Sequence, residues 1–174
     1  IWNEPRSEEN GFPSYPPYIS PARQAQVAKQ IKERGLQLAI NFHYADSWAD
    51  PGKQPKPQAW ASLPFDNLVI AVHNFTYDYV KLLVDQGTAP EQVAVGNEII
   101  NGFLWGSESE EMEVSKPPYV VNDKALYWSQ PGGGLLWKYW GSSEPAEQEK
   151  YQAAWERFAA LLAAGIQAVR EASP

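Results

Sequence analysis

The chain has 174 residues, 44% of them hydrophobic, which is enough to bury a core and excludes wholesale disorder. Its 21 acidic residues outnumber its 14 basic residues, and no Lys/Arg cluster suits a phosphate backbone. The absence of cysteine excludes disulfides, thiol nucleophiles and thiolate metal sites. No apolar stretch approaches the roughly 20 residues that span a bilayer. These properties argue against nucleic acid or a membrane as partner and favour a neutral substrate such as carbohydrate.

The first predicted element is a helix that begins after Ser20 and ends at Gly35. Ser20 is a favourable N-cap, and Pro21 suits the first helical position. The predicted apolar face consists of Val27, Ala28 and Ile31. The mostly apolar run over residues 36–42 then predicts a strand that is buried on both faces.

The same order of helix, glycine and strand follows. A second helix is predicted with Asp66 as its cap and Gly87 at its end, and a second strand over residues 92–96. The apolar positions of this helix are Leu68, Val69, Val72, Phe75, Tyr79, Val80 and Leu83. A third helix is predicted to begin at Ser143 and to continue to the end of the chain. Its predicted buried stripe is Trp155, Phe158, Leu161, Leu162, Ile166 and Val169.

This alternation is typical of an α/β fold with a parallel sheet and right-handed crossovers. Two long connections, residues 42–66 and 98–143, follow the carboxyl ends of strands, where barrels and doubly wound sheets alike place their functional residues. The opening residues 1–5 are interpreted as the tail of a further strand. We therefore expect a chain that is cut at both ends and holds about three βα units.

Asn97 and Glu98 are the strongest local signal, because an apolar strand delivers them side by side at its carboxyl end. A glutamate that loses part of its hydration there favours its protonated form, as a general acid must. The neighbouring Asn97 amide can bind a sugar hydroxyl. The alternative, that both residues only cap a loop or the next helix, stays open at this point.

A second polar cluster, residues 41–52, leaves the end of the preceding strand. His43 can donate or accept a hydrogen bond, while Tyr44 and Trp48 can stack on a sugar ring. Asp46 or Asp50 can orient a hydroxyl or brace the loop, and we prefer a turn for residues 50–52. No metal site is predicted, because the second of only two histidines lies far along the chain in a helix.

The run Phe42-His43-Tyr44-Ala45-Asp46-Ser47-Trp48-Ala49-Asp50-Pro51-Gly52-Lys53-Gln54, with Pro57 and Trp60, resembles the signature of the arabinogalactan endo-β-1,4-galactanases, glycoside hydrolase family 53. Val95-Gly96-Asn97-Glu98-Ile99, followed by Gly102 and Leu104-Trp105, resembles the acid/base motif of the same family. Ile1-Trp2-Asn3 resembles the end of its second barrel strand.

The resemblance implies a (β/α)8 TIM barrel, of which residues 1–174 form a single partial catalytic domain from about the end of strand 2 through helix 4. It implies hydrolysis of β-1,4-galactan or arabinogalactan with retention of configuration, without a cofactor. Glu98 would be the general acid/base and Asn97 a hydroxyl-binding residue. His43, Tyr44, Trp48 and Trp105 would contact the substrate, and the rest of the barrel would be required as partner.

The sequence departs from the family pattern in three respects. Asn41 stands where the family usually has Asp, and residues 106–143 form a long insertion rich in Trp and Gly. The nucleophilic glutamate of the family comes from the seventh strand, so the resemblance implies that the nucleophile lies outside this chain and that the chain alone is inactive.

Two other functions are compatible with these patterns. A carbohydrate-binding barrel without catalysis would explain the missing second carboxylate. A related retaining hydrolase acting on mannan or β-glucan would also carry an Asn-Glu pair. The substrate class implies a secreted, extracellular protein, since polymers do not enter cells.

Overall fold

A computed structural model describes residues 1–3, 19–46, 48–106 and 131–174. The elements in chain order are α1 (Pro21–Glu33), β1 (Ala39–Phe42), a 3-10 turn (Gln58–Trp60), α2 (Phe65–Asp85), β2 (Gln92–Val95), α3 (Leu136–Tyr139) and α4 (Pro145–Ala172). The predicted alternation of helices and strands is confirmed. No helix in these ranges is both long and apolar enough to cross a membrane.

The start of α1 follows the sequence prediction. The Oγ of Ser20 accepts the backbone N–H of Arg23 at 3.4 Å, and Pro21 is the first helical residue. Gly35 adopts a φ of 68°, a left-handed conformation that glycine reaches without steric cost. The local signals at both ends of α1 therefore determine its length.

The predicted caps of the other two long helices are wrong. Asp66 lies inside the first turn of α2, and Pro64 occupies the cap position without a side-chain hydrogen bond. Glu144, not Ser143, is the cap residue of α4. In both cases a proline at the boundary sets the backbone direction, and the acidic residue still lies near the positive end of the helix dipole.

The two strands are parallel, with Ala39 opposite Gln92 and Phe42 opposite Val95. On the other edge of β1, Ile1 accepts a backbone hydrogen bond from His43 at 2.8 Å and donates to the carbonyl of Asn41. The opening residues therefore run along the sheet edge, as expected for the tail of a neighbouring strand.

Strand β1 buries one face, so the prediction of burial on both faces is wrong. Ile40 and Phe42 are buried, whereas Ala39 and Asn41 are exposed. In the described chain, helices cover only the face that carries Ile40 and Phe42. This leaves the Asn41 side chain on the open face, beside the end of β2.

The core lies between this covered face and the helices α2 and α4. The Phe42 ring stacks on Tyr44 at a centroid distance of 5.3 Å and meets Tyr79 edge-on at 5.9 Å. Helix α4 contributes mainly small residues, with Gly165 so close to β2 that a Cβ there would lie 2.4 Å from Cγ1 of Val95.

The predicted buried stripe of α4 is correct only in part. Phe158 and Leu161 are buried, but Trp155 and Ile166 are exposed by 40% and 37%. The buried face is made instead by Ala154, Ala164, Gly165, Ala168 and Ala172 together with those two residues. Because small side chains allow a close approach of helix to sheet, the larger residues are turned outward.

Candidate active site

Two loops meet beyond the carboxyl ends of the strands. The β1 loop (residues 43–57) follows β1, and the β2 loop (residues 96–106) follows β2. The backbone N–H of Trp105 donates to the carbonyl of Gln54 at 2.8 Å, and Pro55 forms a parallel bridge with Trp105. The loops therefore lie side by side at the sheet edge where parallel α/β proteins bind their ligands.

Asn97 joins the end of β2 to the neighbouring segments. Its Oδ1 accepts a hydrogen bond from Nδ2 of Asn41 at 2.7 Å, and its Nδ2 donates to the carbonyl of Ala49 at 2.8 Å. Because the Ala49 carbonyl can only accept, these two contacts fix the orientation of the amide. With respect to the described residues, one N–H of Nδ2 and one lone pair of Oδ1 remain for a further hydrogen bond.

Glu98 follows Asn97 in a left-handed backbone conformation with a φ of 51°. Such a conformation costs a residue other than glycine about 1–3 kcal/mol and persists where its surroundings enforce it. The side chain of Glu98 is exposed, so the predicted loss of hydration is not seen. The physical reason is that only one strand of the described sheet lies beside β2.

His43 is a buried, neutral imidazole at the start of the β1 loop. Its Nδ1 accepts the backbone N–H of Ala49 at 3.3 Å, which places the proton on Nε2. Burial lowers the pKa of His43 to about 4, so this tautomer persists at neutral pH. The ring contacts both Trp2 and Trp48, at centroid distances of 6.3 and 5.3 Å.

Trp48 offers an open aromatic face next to His43. Its side chain is 54% exposed, and its ring meets the imidazole at an interplanar angle of 60°. An exposed ring braced by a second ring suits the apolar face of a sugar. The predicted roles of Trp48 and His43 in one substrate-contacting group are therefore compatible with their positions.

The predicted substrate contacts of Tyr44 and Trp105 do not fit the structure. Tyr44 is fully buried, and its hydroxyl forms a hydrogen bond with Oγ1 of Thr76 at 2.7 Å. Trp105 is 1% exposed, and its Nε1 donates to the carbonyl of Asn101 at 3.0 Å. Both rings fill the core under the loops, so neither can stack on a sugar in this conformation.

The two aspartates of the β1 loop brace the backbone. Asp46 is buried, and its Oδ2 accepts the backbone N–H of Gln58 at 2.8 Å. The Oδ1 of Asp50 accepts the N–H of Gly52 at 2.9 Å, which is the predicted turn. Of the two readings of the sequence, bracing the loop is therefore the one that the contacts support.

Three amide side chains near Glu98 were not predicted as site residues. Asn41 supports Asn97. Gln54, 2% exposed, donates from Nε2 to the carbonyls of Asn97 at 2.7 Å and Glu98 at 3.4 Å. Asn101, also 2% exposed, accepts the N–H of Trp137 at its Oδ1 at 2.7 Å. For Gln54 and Asn101 the signal in the sequence was an uncharged amide in a loop, because buried amides are usually hydrogen-bonded. Asn41 lies in β1 and carried no such signal.

The described end of the predicted 106–143 insertion packs on the β2 loop. A Cβ on Gly132 or Gly133 would lie 2.1 and 2.0 Å from carbonyl oxygens of Leu104 and Phe103, so glycine is required for this approach. Lys56, 1% exposed, donates to the carbonyl of Pro131 at 3.2 Å. Trp128 lies outside the described residues.

Within the described ranges, no group of three or more His, Asp or Glu side chains is arranged to hold a metal ion. His73, the histidine that the sequence places far from the loops, lies on α2 and pairs with Glu171 of α4 at 2.9 Å. It is therefore not part of the candidate site.

The comparisons with known proteins agree on one family. A family model described as Glycosyl hydrolase family 53 matches residues 1–174. An uncharacterized protein from the bgaB 5' region of Niallia circulans is 35% identical over 170 residues, which are 98% of this chain and 35% of that protein. An arabinogalactan endo-β-1,4-galactanase of Humicola insolens is 44% identical over 80 residues, 46% of this chain and 24% of the enzyme.

Two solved structures share the fold. The catalytic domain of a glycoside hydrolase family 53 protein from Ignisphaera aggregans gives a TM-score of 0.67 at 33% identity. A structure from a study of two fungal β-1,4-galactanases gives 0.62 at 26% identity. Each match covers 99% of this chain and 36% of the solved chain. The described elements are therefore part of a (β/α)8 barrel, and the chain spans little more than a third of the length of these relatives.

Proposed function

Because the chain belongs to glycosyl hydrolase family 53, we propose that it forms part of an endo-β-1,4-galactanase that cleaves galactan or arabinogalactan. The names of the relatives support this substrate, since curated galactanases of Humicola insolens and Bacillus subtilis are 44% and 34% identical over their matched 80 and 113 residues. The first match covers 46% of this chain and the second 64%.

The observation that carries the proposal is the arrangement around Glu98. An exposed carboxyl stands at the end of a barrel strand, next to an Asn97 amide that is fixed in orientation by Asn41 and Ala49. In the proposed mechanism the Glu98 carboxyl protonates the departing glycosidic oxygen. The resulting carboxylate later takes a proton from the water that releases the sugar.

Retention of configuration requires a second carboxyl about 5 Å from the first, acting as the nucleophile. Asp46 and Asp50 are poor candidates, because the carboxylate of each already accepts a backbone N–H of its own loop. We place the nucleophile on sequence outside this chain, which is compatible with the 35% of the Niallia circulans relative that the chain covers.

Substrate contact is proposed for Asn97 and Trp48, with His43 next to the Trp48 ring. Asn97 would bind a hydroxyl close to the reacting carbon, and Trp48 would stack on a sugar ring with His43 behind it. His43 is neutral under working conditions, because burial lowers its pKa to about 4, and its Nε2–H is a hydrogen-bond donor. These contacts orient the sugar, whereas the chemistry belongs to the carboxyls.

The test compares Glu98→Gln with the parent protein in its full length. Turnover of linear β-1,4-galactan should fall by about 10²- to 10⁴-fold, the usual contribution of a general acid/base. Binding of galactan should change little, because Gln keeps the shape of Glu. Glu149→Gln, at an exposed position of α4, is the matched control and should keep full turnover.

Azide then distinguishes whether Glu98 acts as the acid/base or as the nucleophile. An anionic nucleophile needs no base to attack a glycosyl-enzyme, so azide should restore turnover of an activated aryl galactoside by Glu98→Gln and give β-galactosyl azide. Full turnover of galactan by Glu98→Gln would refute the assignment. Binding of galactan without any hydrolysis by the parent protein would favour a non-catalytic carbohydrate-binding barrel instead.

A further inference from the structure

Gln54 holds the backbone on both sides of the Glu98 Cα atom. Its Nε2 donates to the carbonyl of Asn97 at 2.7 Å and to the carbonyl of Glu98 at 3.4 Å. The first carbonyl belongs to the peptide group that precedes Glu98, and the second to the group that follows it. One side chain therefore restrains both backbone dihedrals that aim the Glu98 side chain.

The restraint acts on a backbone conformation that is unfavourable for a residue with a Cβ. Glu98 has a φ of 51°, in a region that residues with a Cβ rarely adopt. Left free, the segment relaxes toward a negative φ, which turns the Cα–Cβ bond and moves the carboxyl away from its present direction. The hydrogen bonds from Gln54 oppose that rotation.

Gln54 is itself fixed. Its side chain is 2% exposed, and its backbone carbonyl accepts the backbone N–H of Trp105 at 2.8 Å. The indole of Trp105 is buried and anchored through Nε1 to the carbonyl of Asn101. The side chain that holds Glu98 thus stands on a rigid part of the core.

We infer that Gln54 is a positioning residue for the acid/base carboxyl of Glu98, an inference that rests on the proposed function. Gln54 binds no substrate and transfers no proton. It sets the direction in which the Glu98 proton is delivered to the leaving oxygen. Loss of Gln54 should therefore weaken acid catalysis selectively rather than all steps equally.

The experiment measures kcat/KM of the full-length protein for aryl β-1,4-galactobiosides with phenol leaving groups of graded acidity. A dinitrophenol leaves without protonation, whereas a weakly acidic phenol needs the general acid. For Gln54→Leu we expect a loss of about 10- to 100-fold with the weakly acidic phenol and of less than about 3-fold with dinitrophenol. Since both values come from one preparation, their ratio does not depend on the fraction of folded protein.

Gln86→Leu is the matched control. Gln86, the C-cap residue of α2, donates from Nε2 to the carbonyl of Ala25 at 3.0 Å and to Oγ1 of Thr88 at 2.6 Å. Its loss removes the same chemical group far from Glu98, so the ratio between the two leaving groups should match that of the parent. The inference is overturned if the ratio of kcat/KM between the two leaving groups is the same in Gln54→Leu as in the parent, whether both values fall equally or neither falls.

Two further variants allow the result to be interpreted if Gln54→Leu does not fold or if Glu98 is not the acid. If Gln54→Leu gives no folded protein, Gln54→Met keeps the length of the side chain and removes its N–H donors without adding a charge or an O–H donor, and its ratio is interpreted in the same way. Glu98→Gln belongs in the same series. If it lacks the dependence on leaving-group acidity, the proposed acid itself is wrong; if it has that dependence and neither Gln54 variant does, only the role of Gln54 is wrong.

Discussion

Three residues other than glycine adopt a left-handed backbone in the described chain. They are Tyr44, Glu98 and Leu104, with φ values of 63°, 51° and 54°. All three lie in the β1 or β2 loop, at the edge of the sheet that carries the candidate site. Each conformation costs about 1–3 kcal/mol, so the surrounding contacts must hold it. The strain is thus concentrated in the two loops that present Asn97 and Trp48.

Two buried tyrosines against Phe42 differ in how their hydroxyls are satisfied. The hydroxyl of Tyr44 donates to Oγ1 of Thr76, which in turn donates to the carbonyl of Val72 at 2.7 Å. The hydroxyl of Tyr79 is buried without a hydrogen-bond partner among the described residues. Burial raises the pKa of both phenols, so both stay neutral at any physiological pH.

This contrast predicts opposite effects of the same substitution. Tyr44→Phe should lower the free energy of unfolding by about 1 kcal/mol, because it removes a satisfied hydrogen bond. Tyr79→Phe should leave that free energy unchanged or raise it by up to about 1 kcal/mol, because it removes an unpaired polar group from the core. Urea unfolding of both variants measures the difference, and an equal loss in both would contradict the hydrogen-bond assignment.

At the residue scale, the sequence indicated which strand ends carry polar residues but not the direction in which each side chain points. The apolar run before Asn97 and Glu98 predicted a strand, and the two residues follow the carboxyl end of that strand, β2. The polar loop that contains Tyr44 suggested a ligand contact, yet the left-handed backbone turns this ring into the core. The local sequence does not show that the Tyr44 ring points inward, because this direction depends on contacts with residues of α2 that are distant in sequence.

Among the elements, α4 approaches β2 closely. Gly165 sits at the crossing, and a Cβ there would lie 2.4 Å from Cγ1 of Val95 and 3.1 Å from the hydroxyl of Tyr44. Val95 is the last residue of β2, one residue before the β2 loop begins. The position of α4 therefore bears directly on the strand end that leads to Glu98.

We predict that Gly165→Ala destabilises the protein even though alanine is the better helix former. Alanine gains about 1 kcal/mol of helix propensity, but overpacking a core contact costs typically about 1–3 kcal/mol. The clash should prevail, because Val95 is branched and anchored in a strand. Ala163→Gly, at an exposed site of the same helix, measures the propensity alone. A more stable Gly165→Ala would show that the helix can move away from β2.

Element boundaries were predicted well where glycine marks the end of a helix and less well at the starts of α2 and α4, where Pro64 and Pro145 stand at the boundary. Gly35 and Gly87 close α1 and α2 as expected, both with positive φ. The interior of α4 was misjudged, because the largest apolar residues were assigned to the buried side. Packing against the sheet instead selects Ala and Gly there, and that preference follows from the distance between two elements rather than from periodicity.

On the scale of the whole molecule, the chain is part of a larger barrel and carries the candidate site described above. It spans 36% of each of the two solved relatives. Glu98 lies in this part with the Gln54 amide that holds its backbone, and Trp48 lies there beside the His43 ring. The family assignment and the barrel fold were predictable from two local motifs, whereas the second carboxyl could not be found in the residues available.

We therefore expect the 174-residue chain alone to release no reducing ends from linear β-1,4-galactan, while the full-length protein does. A general acid without a nucleophile cannot complete a retaining cleavage. The two should be assayed side by side, at equal concentrations of folded protein. Hydrolysis by the chain alone would mean that a carboxylate within it completes the site, and Asp46→Asn and Asp50→Asn would identify which one.

The hydrogen bonds between the two loops also determine how this region can open. Trp105 donates its N–H to Gln54, Gln54 holds the carbonyls of Asn97 and Glu98, and Asn97 binds Ala49 in the β1 loop. Neither loop can detach without breaking contacts of the other, so both open as one cooperative unit. The amide hydrogens of Trp105 and Ala49 should consequently exchange with solvent at similar rates.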